Sequence, residues 1–319
     1  MPFDLTEDQI AFQDTARAFA EEQFAPNAAR WDAEKIFPVE QLRAAAALGF
    51  GGIYVGEDVG GSALTRHDAA VIFEELAAGC TSTAAYISIH NMAAWMIDRF
   101  GGQDLREHLL PQLCTMDLLA SYCLTEPGSG SDAAALKTKA VRDGDDYVVN
   151  GSKAFISGGG HTDLYVTMVR TGDDSPRGIT CLAIPKDAPG LSFGEQERKM
   201  GWNSQPTSMV LFDDCRVPVA NRIGEEGEGF KIAMAGLDGG RINIGACSLG
   251  AARAALAAAT AYMGERKAFG SRLADFQALQ FKLADMATNL VAARQMVRLA
   301  AARVDAGHPE ATTYAAMAK

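Results

Sequence analysis

Basic charge is in deficit: 29 Lys and Arg face 40 Asp and Glu, a formal net charge of −11. A nucleic-acid or anionic-membrane surface needs a positive field, so neither partner is expected. A local basic pocket for a phosphorylated small molecule is compatible with that balance. Cysteines are few and scattered, at 80, 114, 123, 181, 215 and 247, with no Cys-x-x-Cys pair. The five histidines show no metal-ligand spacing. Such thiols suit a reducing compartment, and no metal site is expected. A basic N-terminal start is missing from "MPFDLTEDQIAF". No unbroken apolar run nears the ~18 residues of a membrane span, so neither a signal peptide nor a spanning helix is expected. Repeats and low-complexity tracts are missing too.

What is present is ordinary for a globular protein: 48% apolar and 22% charged residues in a chain of 319. Its texture changes twice. Residues 1–117 read as a helical domain. Thr6 and Gln9 in "LTEDQ" make a capping box, and apolar residues follow at helical spacing. "FPVEQLRAAAALGF" repeats the form, with Pro38 near a helix start and Gly49 near its end.

Residues 118–224 read as short strands between Gly and Pro turns, a small antiparallel sheet or barrel. Asp143-Gly144 and Asn150-Gly151 are both expected to be tight turns. Residues 225–319 are helical again. Their Ala and Gly content suits close helix approach. Leu279, Leu283, Met286, Leu290 and Val297 mark one face of a long helix, with Gly307 and Pro309 as its stop. A last helix is expected from about Glu310 and to be cut at Lys319. Ten residues fall short of the ~12–15 that an isolated helix needs.

The densest local chemistry is "YCLTEPGSGSD", residues 122–132. It reads equally as a turn-rich strand exit or as a cradle of backbone N–H groups and the Thr125 and Ser131 hydroxyls for a polar ligand. Glu126 and Asp132 do not read as a catalytic acid pair, because nothing fixes them around a common bond.

This segment closely resembles the signature loop of the acyl-CoA dehydrogenases. "GSKAFISGG" (151–159), "GERKAFG" (264–270) and "FQALQFKLADMAT" (276–288) fall in that family's order. "GWNSQPT" (201–207) and "GLDGGRINIGACSLGAA" (236–252) are most similar to the branch acting on short branched acyl groups in valine breakdown. The resemblance implies a multidomain α+β fold: an N-terminal helical domain, a central β-domain and a C-terminal helical bundle, assembled as a homotetramer.

It also implies FAD as cofactor, an acyl-CoA thioester as substrate and electron-transferring flavoprotein as partner. Tyr122, Leu124, Thr125, Gly130 and Ser131 would line the flavin, with Ser131 also touching acyl-CoA. Phe155, Ile156 and Ser157 would form the second wall. Phe155 stands where most of the family has Trp; read alone, it is a core strand aromatic. Arg266 would hold the pyrophosphate, where a guanidinium fork matches phosphate oxygens. Read alone, it is a helix C-terminal cation. Phe269 joins this set, and Phe276 and Gln277 would reach a neighbouring subunit's cofactor. Asp238, Gly239, Gly240 and Arg241 would lie along the acyl-CoA. Read alone, "LDGGR" is a helix start with Asp238 as its cap.

The implied reaction is α,β-dehydrogenation, with a carboxylate base taking the α-proton. In most of the family the base is a glutamate in a C-terminal stretch. In another subgroup it precedes the arginine matching Arg241, and here that residue is Gly240. Neither position is filled within 1–319, so the base is expected in a segment beyond. Two alternatives stand beside this reading: an acyl-CoA oxidase on the same fold, and a non-catalytic flavin or acyl-CoA binder. The implied location is the cytoplasm in a bacterium and the mitochondrial matrix in a eukaryote.

Overall fold

The computed structural model of the chain describes residues 4–319, so the first three residues of the N-terminal stretch read above lie outside them. Helices α1 (Glu7–Phe19), α2 (Ala28–Glu34), α3 (Val39–Ala46), α4 (Arg66–Gly79), α5 (Thr81–Phe100) and α6 (Gln103–Cys114) come first. Strands follow: β1 (Ala120–Cys123), β2 (Lys139–Asp143), β3 (Asp146–Ser157), β4 (Leu164–Arg170), β5 (Ile179–Pro185), β6 (Leu191–Gln196), β7 (Thr207–Pro218) and β8 (Arg222–Ile223). The chain closes with α7 (Gly229–Glu265), the short strands β9 (Lys267–Ala268) and β10 (Ser271–Arg272), α8 (Gln277–Asp305) and α9 (Ala311–Ala318). Helices, then a sheet, then helices is the order expected from the sequence.

These elements form two compact units. One takes the described residues up to Ala29, with Thr65–Ala85 and Arg241–Lys319. The other takes Arg30–Leu64 and Tyr86–Gly240.

In the first unit, the expected capping box starts α1: the Thr6 hydroxyl accepts Gln9 N–H, and the Gln9 side chain accepts Thr6 N–H. A second box at Thr65 and Asp68 starts α4. Two adjacent glutamates of α4 are buried, and each has arginine partners. Glu74 takes Arg294 at 2.8 Å; Glu75 takes Arg17 at 3.2 Å and Arg253. Burial of carboxylates is tolerable only with such partners. Gly250 lets α7 approach α4 closely, since a Cβ there would lie 2.2 Å from the Glu74 carbonyl oxygen.

α7 corrects one expectation and qualifies another. It runs 37 residues without a break, so Asp238 lies in mid-helix and is not the N-cap of a helix start. It is also long and apolar enough by composition to cross a membrane, with a window of mean hydropathy 1.3 of which 28% is buried. Counting unbroken apolar residues missed it, because Gly, Ser and Asn interrupt the run without lowering the average enough. Part of this apolar surface lines a groove of about 640 Å³ with α8, between Leu249, Leu256, Met286, Leu290 and Val297.

In the second unit, an eight-stranded sheet has the order β6-β7-β3-β2-β4-β5-β8, with β1 beside β4. Most pairs are antiparallel as expected, but β4 pairs parallel with both β1 and β2. Asp143-Gly144 makes the expected hairpin between β2 and β3, with Gly144 at φ +64°. Asn150-Gly151 does not turn the chain. It is a bulge inside β3, where pairing with β7 shifts register. Gly151 has φ +142°, and a Cβ there would sit 2.7 Å from the Thr138 Cα. Tyr147, Val149, Tyr165, Val169, Leu182 and Val210 are among the buried residues packed on one another from these strands.

Candidate functional site

The site is built from the ends of β1 and β3, both in the second unit. β1 is fixed at its start from α5. Tyr86 Oη donates to the Ala120 carbonyl at 3.2 Å, and His90 Nδ1 accepts Ala120 N–H at 3.0 Å. β1 then delivers Tyr122, half-buried, and Leu124, buried, to the loop. Thr125 is half-buried, while Gly130, Ser131 and Asp132 are exposed.

The loop uses some of its own polar groups. Glu126 N–H donates to the Ser129 carbonyl at 2.9 Å, and Ser129 N–H returns to Glu126 at 3.1 Å. Two of the amides expected to face a ligand are therefore closed on each other.

Glu126 is not poised as a catalytic acid. Its carboxylate accepts Lys137 N–H at 2.6 Å, Thr138 N–H at 2.9 Å and Lys153 Nζ at 2.8 Å. Burial alone raises its pKa, but the Lys153 charge and these donated hydrogen bonds together hold it below the usual carboxylate range.

β3 brings the second expected wall alongside. Ala154 N–H donates to the Thr125 carbonyl at 2.8 Å, and Ser121 Oγ donates to the Ser157 carbonyl at 2.5 Å. Pairing of β3 with β7 is interrupted between Lys153 and Ile156. At that interruption Phe155 has φ +59° and is 65% exposed. It is not a core aromatic. Ile156 is buried and Ser157 half-buried. The structure thus ties the loop after β1 to the 154–157 end of β3, with an exposed aromatic ring beside a loop that carries the Thr125 and Ser131 hydroxyls. That combination suits a flat aromatic ligand with a polar edge, and the expected flavin fits it.

In the first unit, Arg266 follows the last residue of α7. Its N–H donates to the Tyr262 carbonyl at 2.8 Å, so it does occupy the helix C-terminus, and its side chain is exposed. The β9–β10 ribbon gathers the other residues. Phe269 is 98% exposed, and its ring lies 6.4 Å from that of Phe276, edge to face. Gln277 is exposed at the start of α8. Along α7, Asp238, Gly239 and Gly240 end the second unit and Arg241 begins the last segment of the first; Gly239 is buried and the others half-buried. Among the described residues, no group of three or more His, Cys, Asp or Glu side chains is arranged to hold a metal ion.

Sequence reasoning passed over Lys153. It lies inside the quoted "GSKAFISGG" but was assigned no role. No local pattern marks it, because its neighbours Gly151 and Phe155 two positions either side are exposed.

Three models of acyl-CoA dehydrogenase domains match the chain in order: the N-terminal domain over 6–117, the middle domain over 121–215 and the C-terminal domain over 227–319. The mitochondrial isobutyryl-CoA dehydrogenase of Bos taurus is 59% identical over 315 residues, covering 99% of this chain and 76% of that protein. A solved chain from work on the electron transferring flavoprotein of Acidaminococcus fermentans superposes with TM-score 0.97 at 41% identity, covering 100% of this chain and 84% of that one. Butyryl-CoA dehydrogenase from Megasphaera elsdenii superposes with TM-score 0.96 at 38% identity, with the same coverage. The helix–sheet–helix order agrees with that likeness, and the chain belongs to the acyl-CoA dehydrogenase family.

Proposed function

We propose that this chain is an FAD-dependent dehydrogenase of a short branched acyl-CoA of the isobutyryl type, working in branched-chain amino acid breakdown. The observation that carries the proposal is the coupling of 122–131 to 155–157. Direct hydrogen bonds from Ala154 and Ser121 hold both expected flavin-lining segments on one sheet. The likeness to the cattle enzyme supplies the acyl class.

FAD, when bound, supplies the hydride acceptor. The protein's part is position and polarisation. Thr125 Oγ1 and the Leu124 backbone would address the polar edge of the ring, with Tyr122 and Gly130 beside them. Phe155, Ile156 and Ser157 would cover a face. Arg266 would hold the pyrophosphate with Phe269 in the same cofactor set, and Phe276 and Gln277 would complete the cofactor site of a neighbouring copy in a homotetramer. Ser131, Asp238, Gly239, Gly240 and Arg241 would lie along the acyl-CoA. We do not assign the α-proton to Glu126, because its carboxylate is committed to Lys153 and to two backbone amides. Electrons would leave to an electron-transferring flavoprotein, in the cytoplasm of a bacterium or the mitochondrial matrix of a eukaryote.

Purified under mild conditions, the protein is expected to be yellow with flavin absorbance bands. Acyl-CoA titrations should perturb those bands at lower concentration with isobutyryl-CoA than with octanoyl-CoA. A colourless protein that stays colourless after FAD is added sinks the proposal. Equal response to both thioesters removes the branched-chain assignment alone.

A further inference from the structure

A lysine with no exposed surface lies between the two expected flavin-lining segments. Lys153 Nζ donates to Glu126 Oε1 at 2.8 Å and to the Leu124 carbonyl at 3.2 Å. The two side chains are 0% and 8% exposed. One residue further along β3, Ala154 N–H holds the Thr125 carbonyl. Three consecutive loop residues, Leu124, Thr125 and Glu126, are thus tied to two consecutive residues of β3. The next residue is Phe155, turned outward at the register break. On the far side, the Glu126 carboxylate also anchors the amides of Lys137 and Thr138, where the chain returns to the sheet.

Stability alone does not explain this arrangement. Removing two charges from water costs about as much as their attraction returns, and an apolar pair of similar volume does as well or better. What the ion pair adds is geometry. An apolar side chain can slide along its neighbours at little cost. An ammonium shared between a carboxylate and a carbonyl loses both bonds if the loop shifts by an ångström.

We propose that Lys153 and Glu126 are a positioning pair: they set the spacing between loop 124–126 and the outward Phe155, and so the width of the slot that receives the flavin ring. This rests on the flavin-binding reading given above. Both residues are buried, so they act through Leu124, Thr125 and Phe155 rather than by touching the cofactor.

The test compares the parent protein with the double variant Lys153→Met, Glu126→Gln. Met keeps the length of lysine, and Gln keeps one of the two oxygens that accept the 137 and 138 amides. Thermal unfolding of both apoproteins is measured first, then FAD affinity and the visible circular dichroism of bound flavin at a temperature where both are folded. The double variant is expected to unfold within a few degrees of the parent, yet to bind FAD at least tenfold more weakly with an altered flavin band. A folded double variant with parental affinity and an unchanged band reduces the pair to a structural role and overturns the inference. If the double variant does not fold, Glu126→Gln alone is measured the same way, and parental affinity and band there have the same consequence. A parent protein that binds no FAD overturns the underlying flavin reading, and the inference with it.

Discussion

His90 Nδ1 accepts the backbone N–H of Ala120 at 3.0 Å, while its Nε2 donates to the Leu113 carbonyl at 2.8 Å. The ring therefore serves as both acceptor and donor, which only the neutral form can do. It bridges the end of α6 to the start of the strand that carries the site. Burial lowers its pKa from the ordinary 6.5 to about 4.

Acid sensitivity follows from that shift. Unfolded His90 takes a proton near pH 6.5, whereas the folded chain resists until about 4. Between those values the unfolded state binds more protons, so stability is full above about 6.5 and falls as pH drops toward 4. The difference corresponds to about 3 kcal/mol at most. His90→Gln keeps a donor and an acceptor but does not titrate. Its unfolding free energy should fall less than the parent's between pH 6.5 and 4 in urea titrations. Parallel curves for the two proteins show that His90 carries no such load.

All six cysteines are free and buried. Burial raises the Cys123 and Cys247 thiols to about 12 and those of Cys114 and Cys215 to about 11, and pushes Cys181 higher still. Thiolate is the reacting species, so these groups are inert in the fold. A thiol reagent at pH 8 should label none of these five promptly in the native protein and all of them after denaturation. Prompt labelling of any one marks a local opening at that cysteine.

Local order was legible where a residue's partner lies close in sequence. Thr6 with Gln9, and Asp143 with Gly144, were read correctly because each motif closes on itself within a few residues. Asn150-Gly151 carries the same turn chemistry and was misread. The positive φ that glycine permits serves a bulge as well as a hairpin, and only pairing with β7 separates them. "LDGGR" was read as a helix start because two glycines cost helix propensity; burial around Gly239 overrides that cost in α7. Lys153 was passed over for a related reason. Its partner Glu126 lies 27 residues away, and no spacing rule connects them. The site segments themselves were legible through family resemblance, whereas the ties that bring them together were not.

Phe155 combines an exposed aromatic ring with a backbone at φ +59°. For a non-glycine residue that conformation costs roughly 1–2 kcal/mol. Phe155→Gly relieves it, offset by about 0.5–1 kcal/mol of added chain entropy in the unfolded state. Apoprotein stability is therefore expected to hold level or to rise slightly. FAD affinity should fall, since an aromatic face covered on binding contributes about 1.5–3 kcal/mol, a factor of roughly ten to over a hundred. Calorimetry on the apoprotein and FAD titration separate the two effects. A variant that loses stability but keeps FAD affinity places Phe155 outside the cofactor site.

Arg266 stands just past the end of α7 with an exposed side chain. As a cation at a helix C-terminus it contributes only about 0.3–1 kcal/mol to stability. As a fork on a pyrophosphate it would contribute about 1.5–3 kcal/mol to FAD binding through charged hydrogen bonds. The two roles predict different responses to Arg266→Ala. The pyrophosphate role predicts FAD bound roughly ten- to a hundredfold more weakly, with riboflavin, which lacks the phosphates, unaffected. The helix-end role predicts a small drop in thermal stability and no change in FAD affinity. Arg266→Lys refines the test: it keeps the charge but not the planar fork, and should recover stability fully and FAD affinity only in part. Measuring FAD and riboflavin affinity beside apoprotein unfolding for all three proteins decides between them, and parental FAD affinity in Arg266→Ala removes Arg266 from the cofactor site.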